Sequence, residues 1–411
     1  MFYETSVRHL QVRRSGADVS DPSPRPSHRG FLPALEGLRA IASVGIIVTH
    51  VAFQTGEDVG GLFQRVLGRF DFFVAVFFAL SGFLLWRSHG RWQGWAMAQT
   101  YYLKRVARIM PAYWVCVGVV LLFFPVAFGT DAKAWLANLF LLQVYVPDVL
   151  SGGLTHLWSL SVEVSFYLAM PLIAWALSPI VGIGARIATI SAVAAASLGW
   201  AFLPLPLPEG LNPHILPPAF FSWFAVGMVL AEIESAGPQQ FRALRRLGRW
   251  RFLWFTIALA GLVAAAMIGP EGLVRAPDGH FAARTLCGML FAAGIIAPYA
   301  LAPQSRWLEH PVMQMLGRWS YGIFLWHVAV LSVVFPLLGV PMFSSSLWDT
   351  LVVFVATAAL SIPVAAASFA LVEEPARKRM GAWIRSRGGA ATSSKATARA
   401  AKSSVGQSNP A

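Results

Sequence analysis

Residues 31–51 read FLPALEGLRAIASVGIIVTHV, an apolar run of about the ~20 residues a helix needs to cross a bilayer. It nevertheless carries Glu36, Arg39 and His50. At about 100° per residue, Arg39 and His50 differ by only about 20° around the helix, while Glu36 falls within about 60° and Ser43 within about 40° of Arg39. The four form a polar stripe on an otherwise apolar cylinder. Ionisable groups at membrane depth are costly to desolvate unless partners or a wet cavity meet them, so they mark functional sites by default.

The rest of the chain fits a membrane setting. Its 411 residues are 56% hydrophobic and 12% charged, with a mean hydropathy of +0.60, whereas soluble domains carry about a quarter charged residues. Residues 1–30 are polar and hold Arg8, Arg13, Arg14, Arg25 and Arg29. No cleavable signal is expected there, and the first span serves as its own signal. Cys116 and Cys287 sit inside separate apolar runs and read as packing residues. Neither zinc-ligand spacing, nor a P-loop, nor a dinucleotide glycine motif is present, so no metal is expected.

The fold expected is an all-α polytopic membrane protein with about ten transmembrane helices, near 31–52, 70–87, 109–128, 164–178, 186–203, 215–233, 252–269, 282–302, 319–338 and 348–372. The apolar segment 135–146 is too short to cross and reads as re-entrant or interfacial. With ten spans, only Arg65, Arg69, Lys133, Arg275 and Arg284 face outwards, and the many remaining cations face the cytoplasm. That asymmetry satisfies the positive-inside rule and places both termini in the cytoplasm. The domains expected are a disordered head over 1–30, an integral membrane domain over 31–378 and a disordered basic tail over 379–411, where Ala, Ser, Gly and Lys predominate. The net charge of +13 is accounted for by topology and attraction to anionic lipid. No basic domain with interleaved aromatics lies outside the membrane, which argues against nucleic acid.

Three further constellations stand out. Lys104, Arg105 and Arg108 put three cations within about one turn at the inner mouth of the third span. They suit phosphate oxygens through charge-assisted bonds, or they anchor the helix at the lipid interface. At the outer mouth of the fourth span, a helix over 155–167 would set His156, Ser159 and Glu163 on one face and Ser161 and Ser165 on another. A carboxylate near an imidazole can orient it; alternatively His156 and Trp158 are interfacial anchors. In the ninth span Ser320 and His327 share a face, beside Tyr321. Asp71, at the mouth of the second span, is open to either a functional or a packing reading.

Together these residues resemble the membrane acyltransferase family 3, bacterial O-acyltransferases of surface glycans, lipids and some antibiotics. Five ordered matches carry the resemblance: Leu35-Glu-Gly-Leu-Arg39-Ala with His50 following; Val76-Phe-Phe-Ala-Leu-Ser81-Gly-Phe-Leu; Arg105-Val-Ala-Arg108-Ile-Met-Pro111; Leu157-Trp158-Ser-Leu-Ser161-Val-Glu163-Val-Ser-Phe-Tyr167; and Ser320-Tyr321 through His327. Glu374-Pro375 stands where members end their last span with an acidic residue and proline. The resemblance covers about 31–378.

It implies a multi-pass plasma-membrane enzyme that takes an acyl group, acetyl by default, from cytoplasmic acyl-coenzyme A and delivers it to a hydroxyl of an envelope glycan or glycolipid. Acyl-coenzyme A would be a donor substrate, with no permanently bound cofactor. His50 would be the general base, Arg39 the oxyanion donor and Glu163 an orienting carboxylate. Lys104, Arg105 and Arg108 would hold the donor's phosphates, with Glu36, Asp71, Ser81, His156, Trp158, Ser161, Ser320, Tyr321 and His327 in support. Two departures bear on this. Many members carry an acidic residue where this chain has Ala75, and Asp71, one turn earlier, is the candidate replacement. Some members append a soluble hydrolase-like domain, whereas nothing after Lys378 is long enough to fold, so the membrane domain would finish the transfer itself or pass the group on. The alternative of another class is a transporter or flippase using the same charges as a substrate path.

Overall fold

The structure, a computed structural model, describes residues 30–56, 61–237, 239–268 and 275–387. Almost all of the expected head and most of the tail lie outside the described residues. Ten long helices dominate: α1 Pro33–Thr55, α2 Phe73–His89, α3 Trp95–Phe123, α4 Trp158–Ala176, α5 Ile183–Leu198, α6 Phe221–Ser235, α7 Arg251–Ala266, α8 Asp278–Leu301, α9 Pro311–Leu338 and α10 Leu347–Arg387. Each coincides with one of the expected spans. Seven are long and apolar enough to cross a membrane, α2 when counted with the helical turns from Leu62 and α4 with that from Thr155; α5 and α7 are shorter apolar helices, and α6 has 15 residues.

Cross-helix contacts lay the short helices alongside the long ones. Arg39 pairs with Ser320, and the His50 ring lies against the His327 ring, so α1 and α9 run parallel. Phe78 stacks on Phe224 and Trp86 bonds Glu232, so α2 and α6 run parallel too. Arg186 near the start of α5 meets Glu232 near the end of α6, while Ser197 at the other end accepts from the Ser222 amide. Trp254 in α7 packs by Gly294, and Gly261 by Cys287, which makes α7 antiparallel to α8. These pairs run in the directions that ten crossings require, and the protein is a multi-pass membrane protein.

The segment Ala132–Leu139 forms a short helix capped by Asp131, whose side chain accepts from the Ala134 amide at 2.7 Å. Tyr113 donates to the Asn138 carbonyl and Trp114 to that of Leu139 at 3.0 Å, which pins the segment against α3 without its crossing. The tail requires a correction. Residues 379–387, expected to be disordered, continue the helix of α10, where Glu374 pairs with Lys378 at 3.1 Å and the Arg387 guanidinium lies 4.0 Å above the Trp383 ring. Composition read as a block hid these one-turn pairings, which support an exposed helix.

Packing depends on small residues. A Cβ at Gly227 would lie 1.9 Å from the Ala79 carbonyl, and one at Gly82 2.2 Å from that of Phe224. The α2–α6 crossing thus brings backbones into contact, the close approach that small residues permit between membrane helices. On the outer surface, Leu122, Phe123, Leu168, Leu172, Leu259, Leu337, Leu351 and Leu371 are exposed, as a lipid-facing belt requires.

One polar knot involves none of the stripe residues. Glu232, 3% exposed, accepts from Trp86 Nε1 at 2.9 Å, Arg186 Nε at 2.7 Å and Arg91 Nη2 at 3.0 Å. Arg186, 1% exposed, spends its other nitrogens on the carbonyls of Leu177 and Gly90. The knot fastens α2, α5 and α6 at one end.

Candidate active site

The histidines converge. The rings of His50 at the end of α1, His156 just before α4 and His327 in α9 lie 6.0, 5.1 and 4.7 Å apart, centroid to centroid, for the pairs 50–156, 50–327 and 156–327. Phe324 closes one side, 5.2 Å from His156. His156 is placed by a short 3-10 turn, Thr155–Leu157, and not by the helix, which begins at Trp158. The face expected to join His156 to Glu163 is therefore broken: His156 turns to the other histidines, and Glu163 turns elsewhere.

His327 is 1% exposed, and its Nδ1 lies 2.8 Å from the Phe324 carbonyl. A carbonyl only accepts, so Nδ1 carries the proton and Nε2, buried without a hydrogen bond, presents a lone pair. Neither ring nitrogen of His156 has a partner within 3.5 Å, although the backbone of Phe324 and Leu325 lies alongside. Buried nitrogens are ordinarily satisfied, and here the Phe324 and Leu325 carbonyls are the nearest acceptors. Among the described residues no group of His, Cys, Asp or Glu is arranged to hold a metal ion.

The other end of α1 is basic. Arg39 Nε donates to Ser320 Oγ at 3.2 Å, and its charge acts on Arg108. Arg108 is also felt by Arg105 and Arg377, and Glu373 by Arg39, Arg108 and Arg377. Arg105 packs over the Tyr101 and Tyr167 rings at 6.0 and 5.9 Å, its Nε buried and without a hydrogen bond. Lys104, next to Arg105 in sequence, is exposed. Three guanidinium groups, those of Arg39, Arg108 and Arg377, gathered about one buried carboxylate leave a surplus of positive charge.

Glu163 joins this region. Its Oε1 accepts from Ser81 and, at 2.5 Å, from Tyr167, whose hydroxyl lies 3.0 Å from Ser81. Tyr321 donates to the Ile109 carbonyl at 2.9 Å, holding α9 to α3 one residue beyond Arg108. Ser161 donates to the Leu141 carbonyl at 2.8 Å and Ser43 to its own helix at Ala40; both are spent on structure. Glu36 packs beside Gly317 of α9.

Asp71 lies apart from the stripe. It occupies a 3-10 turn, Arg69–Phe72, and its Oδ2 is 3.6 Å from Arg69 Nη1. With Trp158 it lines an open pocket that also includes His214 and Arg284. His214 is stacked on Phe281 at 4.1 Å and 3.2 Å from Asp278; burial pushes its imidazole below the usual range, and the Asp278 carboxylate pulls it back up.

Two contributors went unread in the sequence. Glu373, 4% exposed, sits at the end of a π-turn, Phe369–Glu373, that turns it inwards, whereas the motif residue Glu374 pairs with Lys378 at the surface. A π-turn inserts a residue into the helical count, which a constant 100° step cannot foresee. Tyr167 closes the motif that begins at Leu157, and only the structure shows its hydroxyl donating to Glu163 across one turn.

The sequence model of acyltransferase family 3, described as an acyltransferase domain, matches residues 32–369. The chain belongs to this family. As a family 3 member it is a membrane O-acyltransferase, and the transport alternative is set aside. It is 27% identical over 382 residues to acyltransferase MdmB of Streptomyces mycarofaciens, covering 85% of this chain and 92% of that one. To nodulation protein 10 of Rhizobium leguminosarum bv. viciae it is 28% identical over 333 residues, 74% of this chain and 82% of the relative. To peptidoglycan O-acetyltransferase OatA of Listeria monocytogenes it is 24% identical over 386 residues, 85% of this chain but only 56% of that relative. No solved structure matches the chain.

Proposed function

We propose that the protein moves an acyl group, acetyl by default, from acyl-coenzyme A on the cytoplasmic side to a hydroxyl of an envelope glycan or glycolipid on the outer side. One observation carries this reading: a single helix, α1, holds Arg39 within the arginine cluster and His50 within the histidine cluster. Eleven helical rises separate the two residues, about 16 Å, a distance that a flexible thioester arm can bridge between anchored phosphates and a reacting carbonyl.

Arg105 and Arg108 bind the donor's phosphates, because guanidinium forks match phosphate oxygens, with Lys104 at the exposed rim. Arg39 joins them. Its company with Arg108 and Ser320, so far along the helix from His50, supports a phosphate-side role in place of the oxyanion role expected from the resemblance. Glu163, through Tyr167 and Ser81, is a positioning residue for the wall on which Arg105 rests.

At the other end His50 removes the acceptor's hydroxyl proton as the oxygen attacks the thioester carbonyl. The tetrahedral oxyanion is stabilised by an N–H of the histidine cluster, where charge developing in a buried setting is worth most. Collapse breaks the carbon–sulfur bond, the imidazolium of His50 returns the proton to the thiolate, and an ester and free coenzyme A leave. His327, its ring 5.1 Å from that of His50, presents its Nε2 lone pair to the cluster and would accept from His50 when the base turns towards it. The test is incubation of purified protein in lipid with radiolabelled acetyl-coenzyme A and cell-envelope glycan. Transfer by the wild type and its loss in His50→Ala are expected; undiminished transfer by His50→Ala would refute the mechanism.

A further inference from the structure

The pocket that holds Asp71 belongs to neither cluster, yet four helices begin around it. Asp71 lies just before α2, Trp158 opens α4, Trp223 lies near the start of α6, and Phe281 and Arg284 near that of α8. These even-numbered helices all start at the end of the bundle where α1 finishes with His50. The pocket opens to solvent and has a cavity volume of about 70 Å³.

It adjoins the histidine cluster through the chain itself. Thr49, next to His50, donates to the Gly68 carbonyl at 2.6 Å, fixing the turn that presents Asp71. Trp158 follows His156 by two residues and packs on Phe220 at 5.3 Å.

Its lining combines two chemistries. Trp158 is half-buried, so part of its indole remains free for a ligand. Trp223 is fixed by donating from Nε1 to the Thr285 carbonyl at 2.8 Å, and His214 and Phe281 form a stacked pair. Among these flat surfaces stands Asp71, its Oδ2 facing Arg69 and its carboxyl under the charge of Arg284, while its Oδ1 is buried without a hydrogen-bond partner. A carboxylate oxygen left bare beside aromatic faces is unsuited to an acyl chain, which offers no donor. It suits a ring with apolar C–H faces and hydroxyls at its edge, since stacking takes the faces and the carboxylate accepts from the edge.

We infer that the pocket lined by Asp71, Trp158, His214, Trp223, Phe281 and Arg284 is the acceptor subsite and takes a pyranose ring. Trp158 stacks on the sugar face, Asp71 accepts hydrogen bonds from its hydroxyls, and Arg284 donates to ring or substituent oxygens. The bound ring presents a hydroxyl towards His50. This rests on the proposed transfer only for the word acceptor; sugar binding can be measured without transfer.

The experiment is saturation-transfer NMR on the full chain in lipid nanodiscs with a panel of methyl pyranosides, with decan-1-ol as the apolar competitor. Coenzyme A binding is measured on the same samples by calorimetry. The wild type is expected to saturate the ring protons of at least one pyranoside. Asp71→Asn should weaken that binding about tenfold, the loss of one charge-assisted hydrogen bond. Trp158→Ala should abolish it and Trp158→Phe restore it, all with coenzyme A binding at the wild-type level, which also certifies the fold. The inference is overturned if the wild type binds coenzyme A but no pyranoside, if Asp71→Asn and Trp158→Ala bind pyranosides as the wild type does, or if decan-1-ol alone occupies the pocket. Pyranoside binding without coenzyme A binding would uphold the pocket and count against the transfer reading instead.

Discussion

Replacing Glu232 by Met tests the account of how the bundle is fastened. The carboxylate is 3% exposed and faces Arg186, 1% exposed, at 2.7 Å, with Trp86 and the half-exposed Arg91 as its other donors. In the variant Arg186 keeps the carbonyls of Leu177 and Gly90 but loses its countercharge while still buried. Breaking a buried pair from one side costs about 3–5 kcal/mol, most of it the penalty of the stranded charge. Arg91 adds little, because an exposed ion pair contributes at most about 1 kcal/mol. The double variant Glu232→Met/Arg186→Met strands nothing and should recover most of the loss, as a coupling between contacting residues. Equilibrium unfolding in mixed micelles, followed by tryptophan fluorescence, gives the four corners of this cycle. A single-variant loss below about 1 kcal/mol, or a double variant as unstable as the sum of the singles, would contradict the role assigned to the knot.

Other outcomes follow from the same geometry. Arg108→Ala should raise the KM for acyl-coenzyme A about 10–100-fold, the loss of one or two charged hydrogen bonds to phosphate, while Lys104→Ala, its side chain exposed, should change it less than threefold; initial-rate kinetics at saturating acceptor distinguish them. Gly227→Leu places a side chain where a Cβ alone would be 1.9 Å from the Ala79 carbonyl, and it should forfeit the folded protein in a detergent-extraction assay, whereas Gly118→Leu, at a glycine with open space, should not. Tyr167→Phe removes one donor to Glu163 but keeps the ring beneath Arg105; it should lower activity less than Glu163→Gln does, measured as kcat/KM for the donor.

The helices were legible because length and hydropathy are local properties, and all ten expected spans have a helix. Segment 135–146 could be excluded for the same reason, being too short, and Asp131 and Asn138 hold it as a capped turn of helix. The stripe on α1 was legible from a constant angular step, which holds for Arg39 and His50. The same step misread the region before Glu163, because the 3-10 turn at 155–157 resets the phase and sends His156 towards His50 and His327. It also passed over Glu373, which a π-turn rotates inwards. That three histidines from distant segments meet was not readable, since it depends on which helices are neighbours, and neighbourhood is set by backbone contacts such as Gly82 and Gly227. The exposed Lys104 shows a limit of another kind: sequence gathers three cations within one turn, but only the packing of Tyr101 and Tyr167 decides which two face inwards.

The central claim is that an acyl group enters at the arginine cluster and leaves at His50, at opposite ends of α1. Inside-out membrane vesicles carrying the protein, given radiolabelled acetyl-coenzyme A in the external medium, test it most directly, because the cytoplasmic face is then outermost. The account predicts label on hydroxyls enclosed in the vesicle lumen, absent with His50→Ala and restored to half-maximal rate only at raised donor concentration with Arg108→Ala. Label confined to acceptors on the external face, or luminal label that persists with His50→Ala, would contradict it.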